Sequence, residues 1–186
     1  PSGIHSAGDS GSDVRKSGRA DMMQAETDVT PFLHDPLSVQ SAIGSGDLGS
    51  RVLKETIAGL ASESMWRQLW LVADSLSREV SVLFDRDGRI WVDIGTAGQV
   101  RLSPPVGATI PFSLWIHTHP WDAYWSPTDL STLASYSRIL DSALVLGHDH
   151  MKSTRKAEGD CERLGPRAPL SVWTSEEVRT YEEEGV

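Results

Sequence analysis

HTHPWDAYWSPTD, residues 117–129, sets two histidines one residue apart at the end of an apolar run, FSLWI, and follows them with Ser-Pro-Thr-Asp. In an extended strand residues i and i+2 point to the same side, so His117 and His119 project together with Cα atoms about 6.6 Å apart. Two imidazoles so placed can converge on one ion, and zinc accepts nitrogen from His and oxygen from a carboxylate. Asp129 is the candidate third ligand. It reads equally well as part of a helix start, because Ser126 suits the N-cap, Pro127 the first helical position and Asp129 the first turn. A bare His-x-His arises often by chance. Weight comes from the joint pattern: a strand carrying HTHP, a short loop, then Ser-x-x-Asp opening a helix that folds back over the strand end.

Upstream, Leu53, Ile57, Leu60 and Ala61, then Trp66, Leu69, Trp70, Ala73 and Leu76, keep the i, i+3, i+4, i+7 spacing of amphipathic helix, as one helix or as two broken near Ser62–Ser64. The period then drops to two in REVSVLF (78–84), and the turn DRDG leads to RIWVDI as the second arm of a hairpin. QVRL (99–102) reads as a strand and SPPVGATIP (103–111) as a loop. Downstream, Leu130, Leu133, Ala134, Ser137 and Leu140 predict a helix, SALVLG and PLSVW two short strands, and TSEEVRTYEEE a closing helix with a Thr174–Glu177 capping box. Residues 1–46, rich in Gly, Ser and Asp and without sustained period, read as a flexible tail, leaving 47–186 as one domain.

Taken together, the matching residues His117, Thr118, His119, Pro120, Ser126 and Asp129 resemble the signature of the JAMM (MPN-plus) metalloprotease family. That signature is an upstream Glu, His-x-His-Pro, then Ser-x-x-Asp. Six residues separate His119 from Ser126 here, where the family commonly has seven. The resemblance, which spans roughly residues 50–150, implies an α/β domain of cytidine-deaminase-like type with a curved mixed sheet flanked by helices. It implies zinc held by His117, His119 and Asp129, with Glu79 as general base and Ser126 as hydrogen-bond donor to the oxyanion. Glu79 fits because period-two alternation sends it to the face opposite Val80, Val82 and Phe84; Glu55 and Glu63, on the preceding helix, are its rivals. The implied activity is hydrolysis of isopeptide or peptide bonds in conjugates of ubiquitin or a ubiquitin-like modifier, whose Gly-Gly tail could lie close against the strand edge. Two alternatives stay open: a zinc amide hydrolase with a different substrate, and a scaffold module that binds proteins without catalysis.

Other features carry less. His148-Asp149-His150 is a second His-x-His, but no Ser-x-x-Asp accompanies it. Trp121, Tyr124 and Trp125 suit packing against the core better than recognition. Cys161 lies in a polar stretch near glycines and is not read as a nucleophile. The net charge of −9 argues against nucleic acid or an anionic membrane as partner. With a single cysteine and no apolar run near the roughly 20 residues of a membrane helix, the cytoplasm is the expected location.

Overall fold

The structure, a computed structural model, describes residues 28–95, 105–157, 169–174 and 177–184. Where the apolar spacing is helical, three helices form: α1 (Pro36–Ser45), α2 (Arg51–Ser62) and α3 (Trp66–Leu76). The break expected near Ser62–Ser64 is real. Ser64 takes the left-handed conformation (φ 56°), which lets the Met65 N–H reach the Leu60 carbonyl at 2.8 Å and closes α2. Ser77 (φ 52°) ends α3 in the same way, with Arg78 N–H on the Ala73 carbonyl, and so delivers Glu79 to the mouth of the first strand.

Period-two alternation produces the hairpin β1 (Val80–Phe84) and β2 (Ile90–Ile94), paired with Phe84 opposite Ile90. The turn holds because the buried Asp85 carboxylate accepts the N–H groups of Asp87, Arg89 and Thr109, each at 2.9 Å. β3 (Leu114–Thr118) lies antiparallel to β1, and α4 (Pro127–Ser135) carries the chain over to β4 (Ser142–Leu146), parallel to β3. β5 (His150–Arg155) and β6 (Glu177–Thr180) complete a six-stranded mixed sheet in the order β2-β1-β3-β4-β5-β6. Alternation sorts the side chains onto two faces. Val80, Val82, Ile116 and Leu146 pack with Ile57, Leu69 and Trp70 of α2 and α3. Leu83, Trp91, Trp115 and Val145 pack with Leu133 of α4.

Four expectations change. Residues 28–46 of the expected tail are folded: the Val29 N–H donates to the Ile90 carbonyl, the Phe32 N–H to the Glu55 carbonyl, and Asp35 caps α1. Phe32 and Leu33 cross α2 at Gly59, where a Cβ would come within 3.0 Å of both. PLSVW is a 3-10 turn over Pro169–Val172 rather than a strand. The closing helix is replaced by β6 and a 3-10 turn over Tyr181–Glu184, since Val178 and Thr180 suit a strand and β5 offers an edge. The Thr174 hydroxyl accepts from the Arg155 N–H instead of capping a helix. The helix beyond Asp129 stops at Ser135, short of Leu140, which is fully buried beside Phe112. QVRL and Cys161 lie outside the described residues. No helix among the described residues is long and apolar enough to cross a membrane.

Candidate metal centre

At the end of β3 the two histidines behave as the strand period requires. His117 pairs with Ser81 across the sheet, and its ring stands on the same face as Trp115, 5.3 Å away. His119 lies one residue beyond the strand yet keeps its register, its N–H donating to the Leu146 carbonyl at 2.8 Å and its carbonyl accepting from Trp70 Nε1 at 2.7 Å. Between them Thr118 points to the other face, where its Oγ1 accepts the Val80 N–H at 2.8 Å. That bond, from one strand's backbone to the other's side chain, fixes where β1 begins.

Asp129 turns out to be cap and site member at once. Ser126 Oγ accepts the Asp129 N–H at 3.2 Å, and Asp129 Oδ2 accepts the Ser126 N–H at 2.8 Å, so the capping box aims the carboxylate back over the strand end. His117 Nε2 lies 3.3 Å from Asp129 Oδ1, and His119 Nε2 lies 3.3 Å from Asp129 Oδ2. All three residues are at most 4% exposed, and one ligand atom from each falls within 4.8 Å of the others.

Electrostatics suit a cation. Burial pushes His117 down to about 4, against the opposing charge of Asp129, so its imidazole is neutral at pH 7 and keeps a lone pair. Burial alone would raise the Asp129 carboxyl; the flanking His119 and His117 rings and the hydrogen bonds from Ser126 outweigh it and hold the group ionised below its usual range. Neither ring nitrogen of His117, nor Nδ1 of His119, has a hydrogen-bond partner although all three atoms are buried. Leaving such atoms bare costs about 1–3 kcal/mol each. Two buried imidazoles, with three of their four ring nitrogens unpartnered, and one carboxylate are a ligand set that zinc or a similar divalent cation fits.

Glu79 is buried, 8% exposed, and its carbonyl accepts the Gly95 N–H at 2.9 Å. Extending the β1–β3 register by two places from Ser81–His117 sets it opposite His119, on the same face. Its rivals point elsewhere. Glu55 is engaged by Arg51 and by His34, 2.8 Å away, on the far side of the sheet, and Glu63 is exposed at the end of α2. The second His-x-His straddles the β4–β5 turn near the surface, where His150 Nδ1 meets Asp149 at 2.6 Å and the His148 ring packs edge-on to Trp70. It joins no three-ligand group among the described residues.

Three contributors had no clear signal in the sequence. Gly147 lets the HTHP loop cross the end of β4: a Cβ there would lie 2.8 Å from the Trp121 carbonyl oxygen. Thr118 and Trp70 act through single hydrogen bonds between distant residues. The loop aromatics divide, with Trp125 buried 6.4 Å from Trp115 while Trp121 and Tyr124 are exposed. Comparison of the chain with models of protein families, with curated proteins and with solved structures returned no match.

Proposed function

We propose that the chain is a zinc-dependent amide hydrolase of the JAMM (MPN-plus) type, acting on isopeptide or peptide bonds of conjugates of ubiquitin or a ubiquitin-like modifier. The observation that carries this reading is the convergence of His117, His119 and Asp129 into one buried group with unpartnered imidazole nitrogens, on the sheet face to which strand alternation also assigns the buried Glu79. A divalent cation held by those three residues would supply Lewis-acid polarisation of an amide carbonyl and bring the pKa of a coordinated water towards 7.

The remaining roles belong to the chain. Glu79 takes a proton from the attacking water as its oxygen bonds to the amide carbon, then returns that proton to the departing amine as the C–N bond breaks. Ser126 Oγ already accepts from the Asp129 N–H, which leaves its own hydrogen to donate to the carbonyl oxygen as negative charge grows there. The two carboxylate oxygens of Asp129 each lie 3.3 Å from an imidazole Nε2, one on His117 and one on His119, and the capping box keeps the carboxylate from rotating away. An intact base beside the ligand set favours this over a scaffold, which needs neither.

The test is zinc-loaded protein incubated with a panel of Gly-Gly-linked modifier conjugates, with cleavage read by mass spectrometry. Wild type binds about one zinc per chain and His117→Ala binds none. Glu79→Gln retains zinc and loses cleavage. A wild type that takes up no zinc leaves only the scaffold; full activity in Glu79→Gln moves the base elsewhere.

A further inference from the structure

The loop that follows the second histidine presents two aromatic rings to solvent with an acid between them. Trp121 is 76% exposed and Tyr124 50%, and Asp122 is exposed as well. Tyr124 belongs to the candidate centre: its ring meets the His119 ring edge-on, centroids 4.4 Å apart, with the rest of the phenol facing water. Trp121 is three residues away, so its Cα lies within about 10 Å of the Tyr124 Cα even along a fully extended chain.

Its backbone is held firmly although its indole is not buried. The Trp121 carbonyl accepts the His148 N–H at 2.6 Å, and Gly147 packs directly beneath. Nor does the loop need these rings for its own packing, since Trp125 already anchors it in the core. No Lys, Arg or His occurs between Pro120 and Ser131 to neutralise Asp122 locally.

Such a rim discriminates by charge. An indole or phenol face attracts a cation through its quadrupole, a neighbouring carboxylate adds the matching charge, and an anionic side chain is repelled. We infer that Trp121, Asp122 and Tyr124 receive a cationic side chain, lysine or arginine, of the substrate residue flanking the amide cleaved at the His117–His119–Asp129 site. This specificity rests on the hydrolase reading above, and names the substrate feature that the reading leaves open.

The experiment uses zinc-loaded full chain and matched peptides that differ at one residue beside the candidate amide: lysine, norleucine or glutamate. Cleavage favours lysine over norleucine by about two- to fivefold, the size of one cation–π contact at an exposed site, with glutamate last. In Trp121→Ala and in Asp122→Asn the lysine peptide falls to the norleucine level. Equal cleavage of all three peptides, or a lysine preference that survives both substitutions, overturns the inference and leaves the hydrolase standing. If no peptide is cut, the same peptides are titrated against 15N-labelled protein. A shift of the Trp121 indole N–H with lysine peptide alone, absent in Asp122→Asn, upholds the cation site and counts against hydrolysis of such amides. No shift with any peptide overturns the inference.

Discussion

On the sheet face covered by α2 and α3, Ile57, Leu69, Val80, Val82 and Ile116 fill the space, and the Trp70 indole nitrogen there has its partner in the His119 carbonyl. On the face covered by α4, Trp91, Trp115, Trp125 and Leu133 share the interior with Glu79, His117, His119 and Asp129. Among the described residues, buried side-chain polar atoms without a hydrogen-bond partner follow the same division: apart from Thr56 Oγ1 on α2, they are both ring nitrogens of His117, Nδ1 of His119 and the indole nitrogens of Trp91 and Trp125. One face is assembled for stability. The other gives some stability up, because a buried histidine whose ring nitrogens lack a hydrogen-bond partner destabilises the fold unless something binds it. The sheet lets one chain do both, since alternate residues of β1 and β3 serve opposite sides.

The largest expected effect tests whether the faces are independent. Leu69 is fully buried, so Leu69→Ala costs about 2–5 kcal/mol through lost transfer energy and a residual cavity. Urea titration should show a lower midpoint with unchanged slope, while zinc affinity measured below that midpoint stays as in wild type. Zinc affinity that falls in step with stability would show the α2–α3 face holding the ligands as well as the fold.

Next in size is acid sensitivity of the metal-free chain. His117 titrates near 4 when folded against about 6.5 when unfolded. Falling pH therefore loads a proton onto the unfolded state first, and stability declines from about pH 6.5 to about pH 4, by roughly 3 kcal/mol in all. Asp129 shifts in the same direction: its lowered carboxyl pKa stabilises above the ordinary carboxylate range, and that contribution is lost only in stronger acid. Urea midpoints across this pH range should fall in wild type more than in His117→Asn. Parallel curves would mean that the folded protein protonates His117 easily, contrary to its burial.

A smaller effect crosses from one role to the other. Gly147→Ala places a methyl 2.8 Å from the Trp121 carbonyl oxygen and the Asp122 carbonyl carbon, which forces the loop to shift at a cost of about 1–3 kcal/mol. Because that loop starts directly after His119, zinc affinity drops too, as calorimetric titration would register. Unchanged affinity would mean that the loop moves without carrying the ligand.

How far the sequence made these two faces visible depends on the range of the physics involved. α2, α3 and the β1–β2 hairpin follow from spacing within ten residues, and so does the side of β1 on which Glu79 falls. The capping box at Ser126–Asp129 was equally local, and only the return of α4 over β3 showed that it also aims the Asp129 carboxylate at the two histidines. What stayed hidden is set by partners far along the chain. Val178 and Thr180 join β5 despite a helix-start signal next to them, the arm at Phe32 docks because Gly59 leaves room, and Thr118 meets Val80 across 38 residues. A local preference of a few tenths of a kcal/mol per residue yields to such pairings.

The smallest predicted effect bears on the point where the two roles meet. Ser126→Ala removes the acceptor of the Asp129 N–H and, as an N-cap loss, costs about 1 kcal/mol. The reciprocal bond, Ser126 N–H to Asp129 Oδ2, survives, so the carboxylate still faces His117 and His119 and zinc remains bound. Ser126→Gly keeps most of the N-cap stability without any side-chain donor, and Ser126→Thr supplies both acceptor and hydroxyl. If Ser126 only caps α4, thermal stability and conjugate cleavage recover together in the Gly variant. Should it also donate to the carbonyl oxygen, Gly restores the melting temperature alone and Thr restores both, because the proton needed in the reaction resides on a hydroxyl whose lone pair the helix already uses.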